Sequence, residues 1–222
     1  MRPRWRKVLS DLWDNKLRTL LVVLSIAVGV FAVGMIAGAY VIISEDLGAS
    51  YASGNPANLQ LFTTDFDSTI LNTIENLDGV KQAEGRREIS LRLRRIGGEW
   101  VSLSLIANAD FEGSQINLLL PVEGQLFPGD RQLVLEKKAL ADLDVAVGET
   151  VEIELADGSL RQAPVVGIVQ DQTSSAGDFL ANPLVFTTFD SLPWLRQSYT
   201  FNRLLVTVSQ GENDKAAITA IS

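Results

Sequence analysis

Thr19 to Ser44 reads TLLVVLSIAVGVFAVGMIAGAYVIIS, 26 positions without one charged side chain. At about 1.5 Å rise per residue such a helix reaches roughly 39 Å, enough to cross a hydrocarbon core of about 30 Å with some tilt. A core helix of a soluble protein seldom runs so far without a polar face. The run is therefore read as a transmembrane helix over residues 19–44, and the bilayer is its first partner.

The flanks give a direction. Residues 1–18 carry six basic side chains (Arg2, Arg4, Arg6, Lys7, Lys16, Arg18) against Asp11 and Asp14, a net +4. Glu45 and Asp46 follow the run directly. Basic residues close to a span stay cytoplasmic, so residues 1–18 are expected inside and residues 45–222 outside. The part after residue 44 holds 13 Lys and Arg against 25 Asp and Glu, a net −12. So acidic a surface excludes nucleic acid as a partner.

Residues 3–17 place Trp5, Val8, Leu9, Leu12, Trp13 and Leu17 at helical spacing among charges. This fits a short amphipathic helix in the cytoplasmic interface, with Trp5, Arg6, Trp13, Lys16 and Arg18 at headgroup depth. A cleaved secretory signal is the alternative, with Ala37-Gly38-Ala39 as the cleavage site. Against it stand the long basic region, the length of the run and its continuation through Ile43. Gly34 and Gly38 form a G-x-x-x-G step with Gly29 nearby, so Gly29, Gly34 and Gly38 are read as positions where this helix packs on others.

The outer residues are enough for one domain with a core, and the chain has no Cys to staple it. The expected fold is α+β: βα units at 58–120 and 183–222 forming a platform, with an inserted β-lobe at 121–170. Asn58–Thr63 reads as a strand, and Asp67 or Ser68 caps a helix whose Ile70, Ile74 and Leu77 share a face. Val80–Ala83 is a return strand. Ile89, Leu91 and Leu93 alternate with polar residues, Gly97-Gly98 turns, and Val101, Leu103 and Leu105 alternate again, so a hairpin is expected. Its basic face (Arg92, Arg94, Arg95, with Arg86 and Arg87) is either an anion site or a face neutralised by nearby acids; the second is preferred.

In the inserted segment, 121–130 is turn-rich. Strands are expected at Gln132–Leu135, Thr150–Leu155 and Pro164–Val169, and a helix at Lys137–Leu143. Residues 171–182 form a polar loop, Leu184–Thr187 a strand and Phe189–Leu195 a short helix. Asn202–Thr207 then repeats the pattern of Asn58–Thr63, and Asp214–Ile221 repeats the helix. The chain stops at Ser222 within that helix, which suggests a C-terminally incomplete domain.

Chemistry is sparse. No His or Cys is present, which excludes Ser-His-Asp and Cys-His catalysis and His-ligated zinc. No Walker glycine-lysine motif or GxGxxG appears. Asp65-Phe66-Asp67 lacks the further ligands of a calcium loop, and capping explains Asp67. Lys81, Lys137, Lys138 and Lys215 sit in no recognised dyad motif. No catalytic, cofactor or metal residue is assigned, and the chain is not expected to be an enzyme.

Asn15-Lys16-Leu17-Arg18-Thr19-Leu20-Leu21, running on to Leu24–Val30, resembles the opening of a MacB/FtsX-type ABC transporter permease. Val122–Pro128, Val147–Val151 and Val165–Val169 resemble recurrent stretches of that family's MacB-like periplasmic core domain, and the likeness covers nearly all 222 residues. It implies a permease half in the bacterial inner membrane, working with a cytoplasmic ABC ATPase subunit and a second permease half, identical or not. Strokes of that ATPase would pass through the membrane stem to the outer domain, a process called mechanotransmission. The outcome would be export or extraction of a lipid, lipoprotein, peptide or drug. The alternative is FtsX-like control of an extracytoplasmic partner such as a wall hydrolase. The family has at least three further membrane helices after the outer domain, and these lie outside the 222 residues.

Overall fold

The computed structural model describes residues 16–171, 173 and 182–209, apart from the side chains of 43–50. It divides into two units, Met1–Ala49 and Ser50–Ser222, considered separately. The expected interfacial helix, apart from its last two residues, and the expected helix at Asp214–Ile221 lie outside the described residues.

Helix α1 spans Lys16–Ser53. Its segment Lys16–Ile42 is long and apolar enough to cross a membrane, and its most apolar stretch has no buried residue. The helix runs further than the uncharged stretch because Glu45 and Asp46 do not break a helix; only a membrane would exclude them. It ends where Gly54 N donates to Tyr51 O (3.2 Å) and Asn55 N to Ala52 O (3.1 Å). Asn55 takes a left-handed φ of 43°, a conformation that Asn tolerates better than most residues.

The second unit contains β1 (Leu59–Phe66), α2 (Ser68–Glu75), β2 (Val80–Arg95), β3 (Val101–Asn108), β4 (Leu119–Gly124), β5 (Leu133–Glu136) and α3 (Ala139–Leu143). Then follow β6 (Thr150–Glu154), β7 (Leu160–Asp171), β8 (Leu184–Thr188), a 3-10 turn at Phe189–Ser191 and β9 (Phe201–Val208). Six strands close into a ring: β2 pairs β3, β3 pairs β8, β8 pairs β5, β5 pairs β7, β7 pairs β6, and β6 returns to β2. Strands β9 and β1 extend the sheet from the first half of β2, and β4 extends it from β7.

Period-2 alternation decides what fills the ring. Leu93, Leu103, Leu105, Leu133, Leu135, Val151, Ile153, Ala163, Val165 and Val185 belong to one buried cluster. The alternate residues of β2 and β6 carry the charges. Strands β5 and β8 are apolar on both sides, because Val134 and Phe186 join Ile106 and Val169 in a second cluster. A third cluster, including Phe66, Phe201, Leu204 and Val206, packs with Leu71 and Ile74 of α2.

Some sequence expectations shift. The return strand and the first hairpin strand are one 16-residue strand, β2. Gly85 allows that continuity, since a Cβ there would stand 2.6 Å from Cγ of Phe201. The turn-rich reading of 121–124 becomes strand β4, whose one partner among the described residues is β7, so Pro121 sits where the sheet needs no second ladder donor. Residues 121–170 are inserted in sequence but hydrogen-bonded in space to β2 and β8. On α2 the sheet-facing residues are Leu71 and Ile74, while Ile70 and Leu77 are about half exposed.

Asp67 caps α2, its Oδ1 accepting from Thr69 N (2.9 Å) and Ile70 N (3.3 Å). Asp67→Ala is expected to cost about 1 kcal/mol, read by urea unfolding of the detergent-solubilised full chain. No change in midpoint would mean that the cap does not stabilise the helix.

Candidate functional site

The segment directly after α1, Gly54–Asn58, belongs to the second unit. Its backbone is stitched to the loop at 114–118. Asn117 N donates to Asn55 O (3.0 Å) and Leu118 N to Gly54 O (2.8 Å). Side chains reinforce this: Asn55 Nδ2 donates to Gln115 O (2.5 Å) and Ala57 N to Asn117 Oδ1 (2.9 Å). Asn58 ties the same segment to β9, donating from its backbone N to Val206 O (2.9 Å) and accepting from Val208 N at Oδ1 (3.0 Å).

The loop is clamped from β2, where alternation puts Glu84 and Arg86 on one side of the strand. Glu84 accepts from Gln115 N (2.6 Å) and Ile116 N (2.9 Å) through Oε1, and from Ser114 Oγ (2.8 Å) through Oε2. Arg86 Nη2 donates to Glu84 Oε2 (3.2 Å), to Ser114 Oγ (3.2 Å) and to the Ile116 carbonyl. Burial pulls the Arg86 guanidinium below its ordinary value, and Glu84 beside it opposes the shift. Glu84 and Arg86 therefore hold the loop, the loop holds residues 54–57, and β2 and β9 are the strands that receive them.

The basic cluster on the β2–β3 hairpin is neutralised. The β2–β6 register sets Arg92 opposite Glu154 and Arg94 opposite Glu152. Arg92 pairs with Glu154, Arg94 with Glu152 at 2.8 Å and Arg95 with Asp144 at 3.2 Å. Arg87 pairs with Asp65, and hydrogen bonds from Thr200 and then Arg87 hold the Asp65 carboxyl below the usual carboxylate range. Arg94 also lies 4.3 Å from the Trp100 ring centroid. Each arginine of this cluster is thus paired with a carboxylate among the described residues.

Of the residues read as functional, Trp5, Arg6 and Trp13 lie outside the described residues. Lys16 and Arg18 are exposed on the first turn of α1. A Cβ added at Gly29, Gly34 or Gly38 would meet nothing within 4 Å among the described residues. Sequence reasoning missed Glu84, Asn55 and Asn117, and read Arg86 only as part of a basic face. The signal present, Gln82, Glu84, Arg86 and Glu88 alternating in a strand, looks like an ordinary solvated face until the loop across it is known.

A family model described as the MacB-like periplasmic core domain matches residues 19–222. No curated protein sequence matches the chain. Among solved structures, the extracellular domain of the noncanonic ABC-type transporter YknZ from Gram-positive bacteria is similar. It shows 15% identity and a TM-score of 0.51, over 71% of this chain and 86% of that one. The periplasmic region of MacB from Actinobacillus actinomycetemcomitans gives 16% identity and a TM-score of 0.48, over 73% and 72%. At such identity the first of these establishes a shared fold.

Proposed function

The chain belongs to the MacB-like periplasmic core domain family, and from that premise we propose that it is a permease subunit of an ABC transporter of the mechanotransmission type. The observation that carries this is the stitching of residues 54–58, immediately after the apolar helix, into β2 and β9. Those strands form the middle of the platform, so a displacement of the helix end is delivered to the sheet through hydrogen bonds and does not dissipate in a slack linker. The span is placed in the inner membrane with its N-terminus cytoplasmic, in line with the charge of its flanks. ATP hydrolysis falls to a separate cytoplasmic ATPase, and the chain itself is not an enzyme. Gly29, Gly34 and Gly38 pack the helix against other membrane helices, a second permease half among them. The cargo is a lipid, lipoprotein, peptide or drug.

The test uses the absence of native Cys. A spin label at Glu99→Cys, on the exposed hairpin tip, reports its distance from the bilayer surface in nanodiscs holding the full chain and its ATPase. ATP is expected to shift that distance, and Asn117→Ala, which unties Ala57, is expected to shrink the shift. A wild-type distance that ignores ATP overturns the transmission reading. Capture of a wall hydrolase by the full chain would replace transport with FtsX-like signalling.

A further inference from the structure

Strand β2 changes partners along its length, and the change is abrupt. Its first part, Val80–Arg86, is paired with β9, and Arg86–Leu93 is paired with β3. Arg86 alone belongs to both ladders, set opposite Arg203 on one side and Asn108 on the other. The β6 ladder then begins at Arg92. Residues 87–91 therefore have β3 on one side and, among the described residues, no strand on the other. A cavity of about 340 Å³ opens along that side, lined by Ile89, Leu91, Glu154, Leu155 and Leu195 among others.

One side chain spans the break. Asn202, on β9, accepts from Glu88 N at Oδ1 (2.8 Å) and donates from Nδ2 to Glu88 O (2.8 Å), standing where a strand partner would stand. A side-chain amide offers both the acceptor and the donor of a peptide group, so it fits an open strand edge. Its neighbour Arg203 adds an ion pair to Glu88 at 2.8 Å. Ile89 packs against both the cluster inside the ring and the cluster under α2, so it lies where the two meet. Gly85, just before the change of partners, has no side chain to brace the strand and lets it bend. Two side-chain hydrogen bonds cost far less to exchange for water than a ladder of backbone bonds does.

We propose that β2 is a hinge at Gly85–Arg87 between two bodies of the second unit, and that Asn202 is its latch. One body is the platform: β1, β9, α2 and β2 as far as Arg86. The other is the ring, which carries β2 from Arg87 onward. With the latch made, β9 is held to the ring edge at Glu88. With it open, the platform turns about Arg86 and Ile89, and the cavity beside residues 89–92 widens. A sheet paired without interruption would resist such a turn, because a whole ladder would have to part; here a few residues absorb it. The device goes beyond the seating of residues 54–58 and does not depend on the transport reading.

The test uses the full chain alone in nanodiscs, with spin labels at Glu75→Cys on α2 and Glu99→Cys on the hairpin tip, one on each body and both exposed. With Asn202 in place the distance distribution between them is expected to be narrow. Asn202→Ala is expected to broaden it toward a second distance and to speed hydrogen exchange of the Glu88 amide about tenfold, the scale of one lost hydrogen bond. An unchanged distribution overturns the proposal whatever the exchange does; with faster exchange it would mean that Asn202 only plugs a strand edge. A distribution already as broad with Asn202 in place overturns it too, since no latch would then exist. If Asn202→Ala lowers the melting temperature sharply, Asn202→Asp decides. That variant keeps the acceptor for Glu88 N and loses the donor to Glu88 O, and an unchanged distribution there overturns the hinge. No ATPase is present, so failure of the transport reading is seen separately.

Discussion

Glu84→Ala is expected to destabilise the second unit by about 3–5 kcal/mol, the range for removing one partner of a buried ion pair. The side chains of Arg86 and Glu84 are 6% and 19% exposed. Glu84 is also the acceptor for the amides of Gln115 and Ile116 and for the Ser114 hydroxyl. Without it, the Arg86 guanidinium stays in the interior without its paired carboxylate and two backbone amides lose their partner. Each of those is costly where water cannot replace the bond. Urea unfolding of the detergent-solubilised full chain, followed by tryptophan fluorescence, reads the change. Glu84→Gln retains one acceptor oxygen while dropping the charge, so it is expected to fall between the wild type and Ala. A loss within about 0.5 kcal/mol, typical of a surface substitution, would mean that the clamp on the 114–118 loop contributes nothing. The same variant is expected to blunt the ATP-linked shift, because residues 54–57 are held through that loop.

Leu105→Ala is expected to cost about 2–5 kcal/mol. Leu105 is fully buried. It stands opposite Ile89 of β2 and beside Val185 of β8, so its side chain fills the interior that six strands enclose. Truncation leaves a void whose walls are hydrogen-bonded on every side and relax little, which puts the cost toward the upper part of the range. Ile96→Ala, on a residue 56% exposed at the hairpin tip, serves as the comparison and is expected to change stability by less than about 0.5 kcal/mol. Equal effects of the two substitutions would show that the ring is not a packed interior.

Local elements were legible where their cause is local. Asp67 caps α2 because its side chain reaches amides two and three residues on. The β2–β3 hairpin follows from two alternating runs around Gly97-Gly98, and Leu93 indeed stands opposite Val101. Strand β4 was missed because Pro121 and Gly124 read as turn residues, and only its edge position makes the proline tolerable. Which face of α2 turns inward was missed by one residue, since Leu71 and Ile70 are equally apolar and only the sheet beneath chooses between them. On the candidate site, the basic cluster was visible and its neutralisation by acids foreseen. The partners Glu154, Glu152 and Asp144 lie 49–62 residues away in sequence and could not be named from it.

What the sequence determined by itself is the long uncharged helix with its charged flanks, the strand and hairpin periodicities and the absence of His and Cys. Each of these rests on residues within a few positions of one another, so each is written into the order of the chain. The tertiary structure decided three things: the return of β6 to β2 that closes the ring, the seating of residues 54–58 on the 114–118 loop, and the pairing of Arg92 and Arg94 with Glu154 and Glu152. All three bring together groups far apart along the chain. A strand's alternation states which face is buried but not which strand will lie beside it, and a lone Glu or Arg carries no mark of its eventual partner. Pairing over such separations is settled by the collective burial of apolar side chains and the satisfaction of every buried polar group, and both exist only once the chain is folded.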